Sequence, residues 1–216
     1  MKGKVQISDM EFAALVSSKI CHDAIGPVGA IWNGLEILAE DDDAEAQSYA
    51  LNVIRNVTAQ ASARLQFARF AFGAAGSAGA QIDLGTAEQI SRGYIGEGKK
   101  ESKHSLLWSG PAGYMAKERV KLLLNLVAAA VTALPRGGQI SVTIEGGMET
   151  PVFRIACTGR TARPPQHLVE FITGENMPEL DAMTIQAYYT CRLAESSGMA
   201  LSVSEIKDGI EITARS

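Results

Sequence analysis

Apolar residues in the first third of the chain recur at helical spacing. Cys21, Ala24, Val28, Ile31, Leu35 and Leu38 are separated by 3, 4, 3, 4 and 3 positions, an a/d seam inside a helical pattern over residues 9–39. The acidic run EDDDAE, residues 40–45, follows, and Asp42 or Asp43 is placed to cap a new helix. A second helical pattern passes through Tyr49, Val53, Val57, Ala61, Leu65, Ala68 and Phe72. The short turn makes the two helices antiparallel neighbours. Such a hairpin cannot bury its apolar face alone, which predicts a four-helix bundle made by a homodimer.

Small residues, FGAAGSAGAQ at 72–81, mark a linker. The pattern beyond it is mixed. A helix is predicted near 86–94, a strand at SLLWS and a strong helix from Met115 to Leu134. QISVTIEG and PVFRIACTG alternate as two strands joined by a glycine-containing turn. Another helix covers 181–197, and ALSVSEIKDGIEITAR reads as a final hairpin turning at Asp208-Gly209. The predicted class is α+β. Residues 1–75 form the helical hairpin and residues 76–216 an α/β sandwich.

Composition narrows this little. A formal charge of −4 gives no reason to expect nucleic acid or an anionic membrane as partner. No apolar run is long enough to span a bilayer, and MKGKVQISDMEF lacks a signal-peptide core. The three cysteines, Cys21, Cys157 and Cys191, form neither a disulfide framework nor a CxxC metal site. A cytoplasmic protein without a metal of its own is expected.

The seam decides where His22 points. With Cys21 and Ala24 facing the bundle core, His22 and Asp23 fall at the outer b and c positions. Gly26 and Gly29 lie at i+4 and i+7 from His22, a smooth stripe on which another protein can approach the imidazole. Ile25 and Trp32 flank it as apolar contacts. Pro27 removes the N–H that would bond the Asp23 carbonyl, so the helix is expected to bend or loosen there. With the turn near residues 41 and 42, Gln60 and Arg64 come close to His22.

The run His22, Asp23, Ala24, Ile25, Gly26, Pro27, Val28 resembles the H-box of bacterial sensor histidine kinases. In that family the histidine carries a phosphoryl group on a ring nitrogen. The resemblance continues in the second half. Asn125, Leu126 and Ala130 match the kinase N-box, but Ala129 replaces the asparagine that holds Mg²⁺. Gly159 survives from the Asp-x-Gly-x-Gly motif, with Cys157 in place of the adenine-binding Asp and Thr161 in place of the second Gly. Ile185, Gln186, Ala187 and Tyr188 occupy the glycine-rich lid segment. Ala129 offers no oxygen to Mg²⁺, Cys157 is a weak acceptor, and Tyr188 obstructs a phosphate cradle.

The second half thus resembles a degenerate kinase ATP-binding domain. The whole is similar to the ChpT-type histidine phosphotransferases of bacterial phosphorelays. The resemblance implies that His22 takes a phosphoryl group from a receiver domain of a hybrid histidine kinase and passes it to aspartates of response regulators. In the kinases the adjacent acid assists proton removal from the histidine, a role the resemblance implies for Asp23, which can also fix the ring's orientation and tautomer. Ile25, Gly26, Gly29, Gln60 and Arg64 line the docking surface. The chain binds no cofactor, and Mg²⁺ belongs to the partner receiver. Gly26 stands where many kinases carry Thr or Asn to position a water, which implies weak or no receiver-phosphatase activity. An active ATP-dependent kinase and a non-catalytic dimeric scaffold for receivers are the alternatives.

GYIGEGKK, residues 93–100, approaches a Walker A motif, but Lys100 replaces the Mg²⁺-binding hydroxyl and the segment follows a helix rather than a strand. A basic loop is expected instead. His104 and His167 lack companions at metal-ligand spacing and read as surface residues.

Overall fold

The computed structural model describes residues 7–40, 43–73, 80–97 and 102–216. Asp42, most of the 72–81 linker, and Gly98, Lys99 and Lys100 of the Walker-like segment lie outside the described residues.

Helix α1 spans Asp9–Glu40 and α2 spans Ala44–Ala71. Asp43 is the cap of α2: its carboxylate accepts from the Ala46 N–H at 3.0 Å. The two helices cross closely at Gly34, where a Cβ would sit 2.7 Å from Cγ1 of Ile54. Gly34 and Pro27 are the buried residues of α1 and mark its face toward α2. Of the seam, Ala24, Ile31 and Leu38 are half-buried, whereas Cys21, Val28 and Leu35 face outward. The helix is not interrupted at Pro27. Helix α1 runs through Pro27 as continuous α-helix, with the ring buried in the hairpin. Packing of that ring offsets one lost backbone bond.

A short antiparallel ribbon follows, β1 (Gln81–Asp83) with β3 (Tyr114–Ala116). Between them lie α3 (Leu84–Ile95) and β2 (His104–Ser109). The helix expected from Met115 begins at Lys117, because Met115 pairs with Ile82 in the ribbon. Helix α4 (Lys117–Ala133) buries almost its whole surface, and Val120, Leu122, Leu123, Leu124, Leu126 and Val127 are all fully buried. A helix apolar all round belongs in a core.

Strands β4 (Gly138–Gly146), β5 (Pro151–Thr158), β6 (Ala200–Ile206) and β7 (Gly209–Arg215) join β2 in one sheet of order β2-β4-β5-β7-β6. Only the β2–β4 pair is parallel. Phe153, Ile155 and Cys157 alternate inward from β5. The last hairpin turns on Lys207 and Asp208, with Asp208 in the left-handed region at φ 63°. Gly209 begins β7, where a Cβ would meet the Cys157 carbonyl oxygen at 2.0 Å, so glycine is required for the strands to pair. Helices α5 (Gln166–Thr173) and α6 (Ile185–Ser196) complete the layer over the sheet.

The hairpin rests on this layer through aromatic rings. Phe12 of α1 packs on Tyr189 at 5.3 Å and on Tyr188 at 6.4 Å, and Phe72 packs on Tyr189 at 5.7 Å between ring centroids. The contacts hold α6 against the base of the hairpin.

Candidate functional site

His22 stands on the outer face of α1 with its side chain 63% exposed. Its Nδ1 lies 3.4 Å from Oδ1 of Asp23. A proton on Nδ1 points at the carboxylate and leaves Nε2 with its lone pair toward solvent. The other oxygen of Asp23 forms an ion pair with Lys19, one helical turn earlier. Beside this group the helix is bare. A Cβ at Gly26 or Gly29 would meet nothing within 4 Å. Ile25 (69%) and Trp32 (62%) are exposed on the same helix, and the Trp32 indole donates to Glu36 at 2.8 Å.

Asp23 also forms one wall of a small cleft between the hairpin and the second domain. Arg64 of α2, Tyr94 of α3 and Gln186 of α6 line it as well. Arg64 thus shares a cleft with Asp23, whose ion pair is formed with Lys19. Gln60 is exposed on α2 and is not part of the cleft wall.

The positions that correspond to nucleotide-binding residues are occupied internally. Asn125 is fully buried. Its Nδ2 donates to the carbonyls of Ala71 at 3.1 Å and Lys121 at 2.9 Å, and its Oδ1 accepts from Gln186 at 3.3 Å. Ala129 carries no ligand oxygen. Cys157 is buried, and burial pushes its thiol up to about 12. Tyr188 fills the lid position, packed edge-on against Phe171 at 5.7 Å, with its hydroxyl accepting from Arg192 at 3.0 Å. The space left between Asn125, Ala129, His167 and Gln186 is about 60 Å³. Small-molecule pockets generally need roughly 300 Å³ or more. These residues do not fit a magnesium nucleotide. No cluster of potential metal ligands exists among the described residues.

A model of the histidine phosphotransferase C-terminal domain matches residues 84–209. Protein phosphotransferase ChpT of Brucella abortus (strain 2308) is 44% identical over 211 residues, covering 97% of this chain and 98% of that protein. A bacterial phosphotransferase of solved structure superposes with a TM-score of 0.89 at 40% identity, over 98% of both chains. The chain belongs to the histidine phosphotransferase family.

In this phosphotransferase two of the three histidines are tied into the frame. His104 is half-buried, with Nε2 3.0 Å from the Leu134 carbonyl oxygen at the end of α4. His167 pairs with Glu170 at 3.0 Å. His167, its side chain 44% exposed, is the surface residue expected, whereas the half-buried His104 is tied to the end of α4. Lys19 escaped the sequence reading, although its position four residues before Asp23 was a usable signal. Tyr94 escaped it too, and no local pattern could have placed it, because α3 reaches the cleft only through tertiary packing.

Proposed function

We propose that this chain relays a phosphoryl group from an aspartyl phosphate on a donor receiver domain to His22, and from His22 to an aspartate of a response regulator. The observation that carries the reading is an exposed imidazole, paired with one carboxylate, on a side-chain-free lane of α1. Nε2 attacks phosphorus, an N–P bond forms, and the P–O bond to the receiver carboxylate breaks. The imidazolium that results keeps its proton on Nδ1, facing Asp23, and the carboxylate offsets that charge. The reverse attack by the acceptor's aspartate restores neutral His22. Positioning and charge neutralisation supply most of the catalysis, and the receiver brings the Mg²⁺. Arg64, which lines the Asp23 cleft, would pair with phosphoryl oxygens in this reading.

The reading includes a homodimer. Val28 (60%) and Leu35 (49%) are exposed along α1, with Tyr49 and Leu65 exposed on α2. A second hairpin would cover this stripe and complete a four-helix bundle. Loss of Mg²⁺-nucleotide binding is part of the same proposal, supported by Ala129, Cys157 and Tyr188. No described helix is long and apolar enough to cross a membrane, in keeping with a proposed cytoplasmic site of action.

The test offers the purified chain two phosphoryl sources, Mg-ATP and a phosphorylated receiver. Label is expected only from the receiver, and none in His22→Ala. Labelling from ATP alone would make the chain a kinase. Stable receiver binding without transfer would make it a scaffold.

A further inference from the structure

Tyr94 belongs to the second domain but stands in the cleft of Asp23. Its helix is fixed from both directions. The Asp83 carboxylate caps α3 by accepting from the Thr86 N–H at 2.8 Å. At Gly93 helix α3 lies against α2, with Ala63 3.7 Å from where a Cβ would sit. The Tyr94 ring then stacks on buried Phe67, centroids 3.9 Å apart and planes inclined by 19°. The ring is therefore held, while its hydroxyl makes no hydrogen bond among the described residues. Burial pushes this phenol up to about 12. The Asp23 charge pushes in the same direction and Arg64 opposes it, so both charges act on the hydroxyl. At neutral pH it is a protonated donor beside a carboxylate. The cleft measures about 20 Å³, room for a single bridging water.

Asp23 has competing demands. Lys19 draws one oxygen and His22 uses the other. We infer that Tyr94 is a positioning residue for phosphoryl transfer: its hydroxyl, directly or through one water, holds Asp23 in the orientation that serves His22. Gln186 contributes a further polar wall from α6. A domain without a nucleotide to bind thereby completes the phosphoacceptor site. The inference rests on the relay reading above.

Tyr94→Phe tests it, because the variant keeps the stack on Phe67 and removes only the hydroxyl. The first measurement is the rate of His22 phosphorylation by saturating phosphorylated receiver. The second is an NMR titration of the His22 imidazole in the chain alone. Asp23 faces that imidazole, and the charged groups around Asp23 are Lys19 on α1 and Arg64 on α2, with Tyr94 as the titratable group on α3. The rate at saturation is expected to fall on the order of tenfold, with the half-saturating receiver concentration unchanged. The His22 midpoint is expected to fall, since Asp23 leaves the orientation in which its charge faces the imidazole. A wild-type rate overturns the inference. So does a slower rate with an unmoved midpoint, which would assign Tyr94 to packing alone. The titration needs no receiver. If no receiver labels wild type, the relay reading has failed, and the midpoint alone decides whether Tyr94 acts on Asp23.

Discussion

Asn125 keeps the residue type of a metal-binding asparagine and has another task. Both of its amide hydrogens go to carbonyls, one of them Ala71 at the end of α2, and Gln186 occupies its oxygen. A buried amide with its bonds satisfied joins the hairpin to the second domain. Asn125→Asp would aim a carboxylate at two carbonyl oxygens. The expected cost is roughly 3 kcal/mol or more, read as a lower urea midpoint. An unchanged midpoint would show that the bonds to Ala71 and Lys121 do not hold the molecule together. The proposed loss of nucleotide binding was legible at Ala129 and Cys157 through their motif positions. The reuse of Asn125 was hidden, because its partners lie 54 and 61 positions away.

Among the elements, α6 depends on the turn before it. Asp181 accepts from the N–H groups of Thr184 at 2.9 Å and Met183 at 2.8 Å, and these bonds hold its carboxyl below the usual aspartate range. The unfolded chain therefore binds this proton more tightly than the folded one. The contribution is present above the ordinary aspartate value of about 3.9 and is lost as pH falls through the lower folded value. Asp181→Asn should lower the thermal midpoint at neutral pH, with the gap to wild type closing in acid. A gap that stays constant with pH would contradict this. Long elements were legible because their periods repeat: the heptad-like spacing of α1 and the alternation of Phe153, Ile155 and Cys157. The ribbon of β1 and β3 was not, since three residues carry no period. The burial of Pro27 was hidden for a related reason, as its cost is local while its compensation is tertiary packing.

At the scale of the molecule, two surfaces meet near His22, the exposed stripe of α1 and α2 and the cleft against the second domain. The proposed dimer rests on the stripe. Leu35→Glu, outward on α1, is expected to convert a dimer to a monomer by light scattering while the chain stays folded. A dimer of unchanged stability would place the interface elsewhere. His22 could be singled out from its neighbours alone, because acid, glycine lane and proline are all local. The cleft required the fold. Arg64 reaches it through the hairpin register, but Tyr94 and Gln186 arrive on helices that only packing brings together.

The central claim is passage of one phosphoryl group through His22. A pulse-chase follows it: a labelled receiver, then the chain, then an unlabelled acceptor receiver, with no nucleotide present. Label is expected to leave the first receiver, appear on the chain as an acid-labile phosphohistidine at residue 22, and end on the second receiver. His22→Ala should hold it on the first. Label reaching the second receiver through His22→Ala, or lost as free phosphate without appearing on His22, would contradict the account.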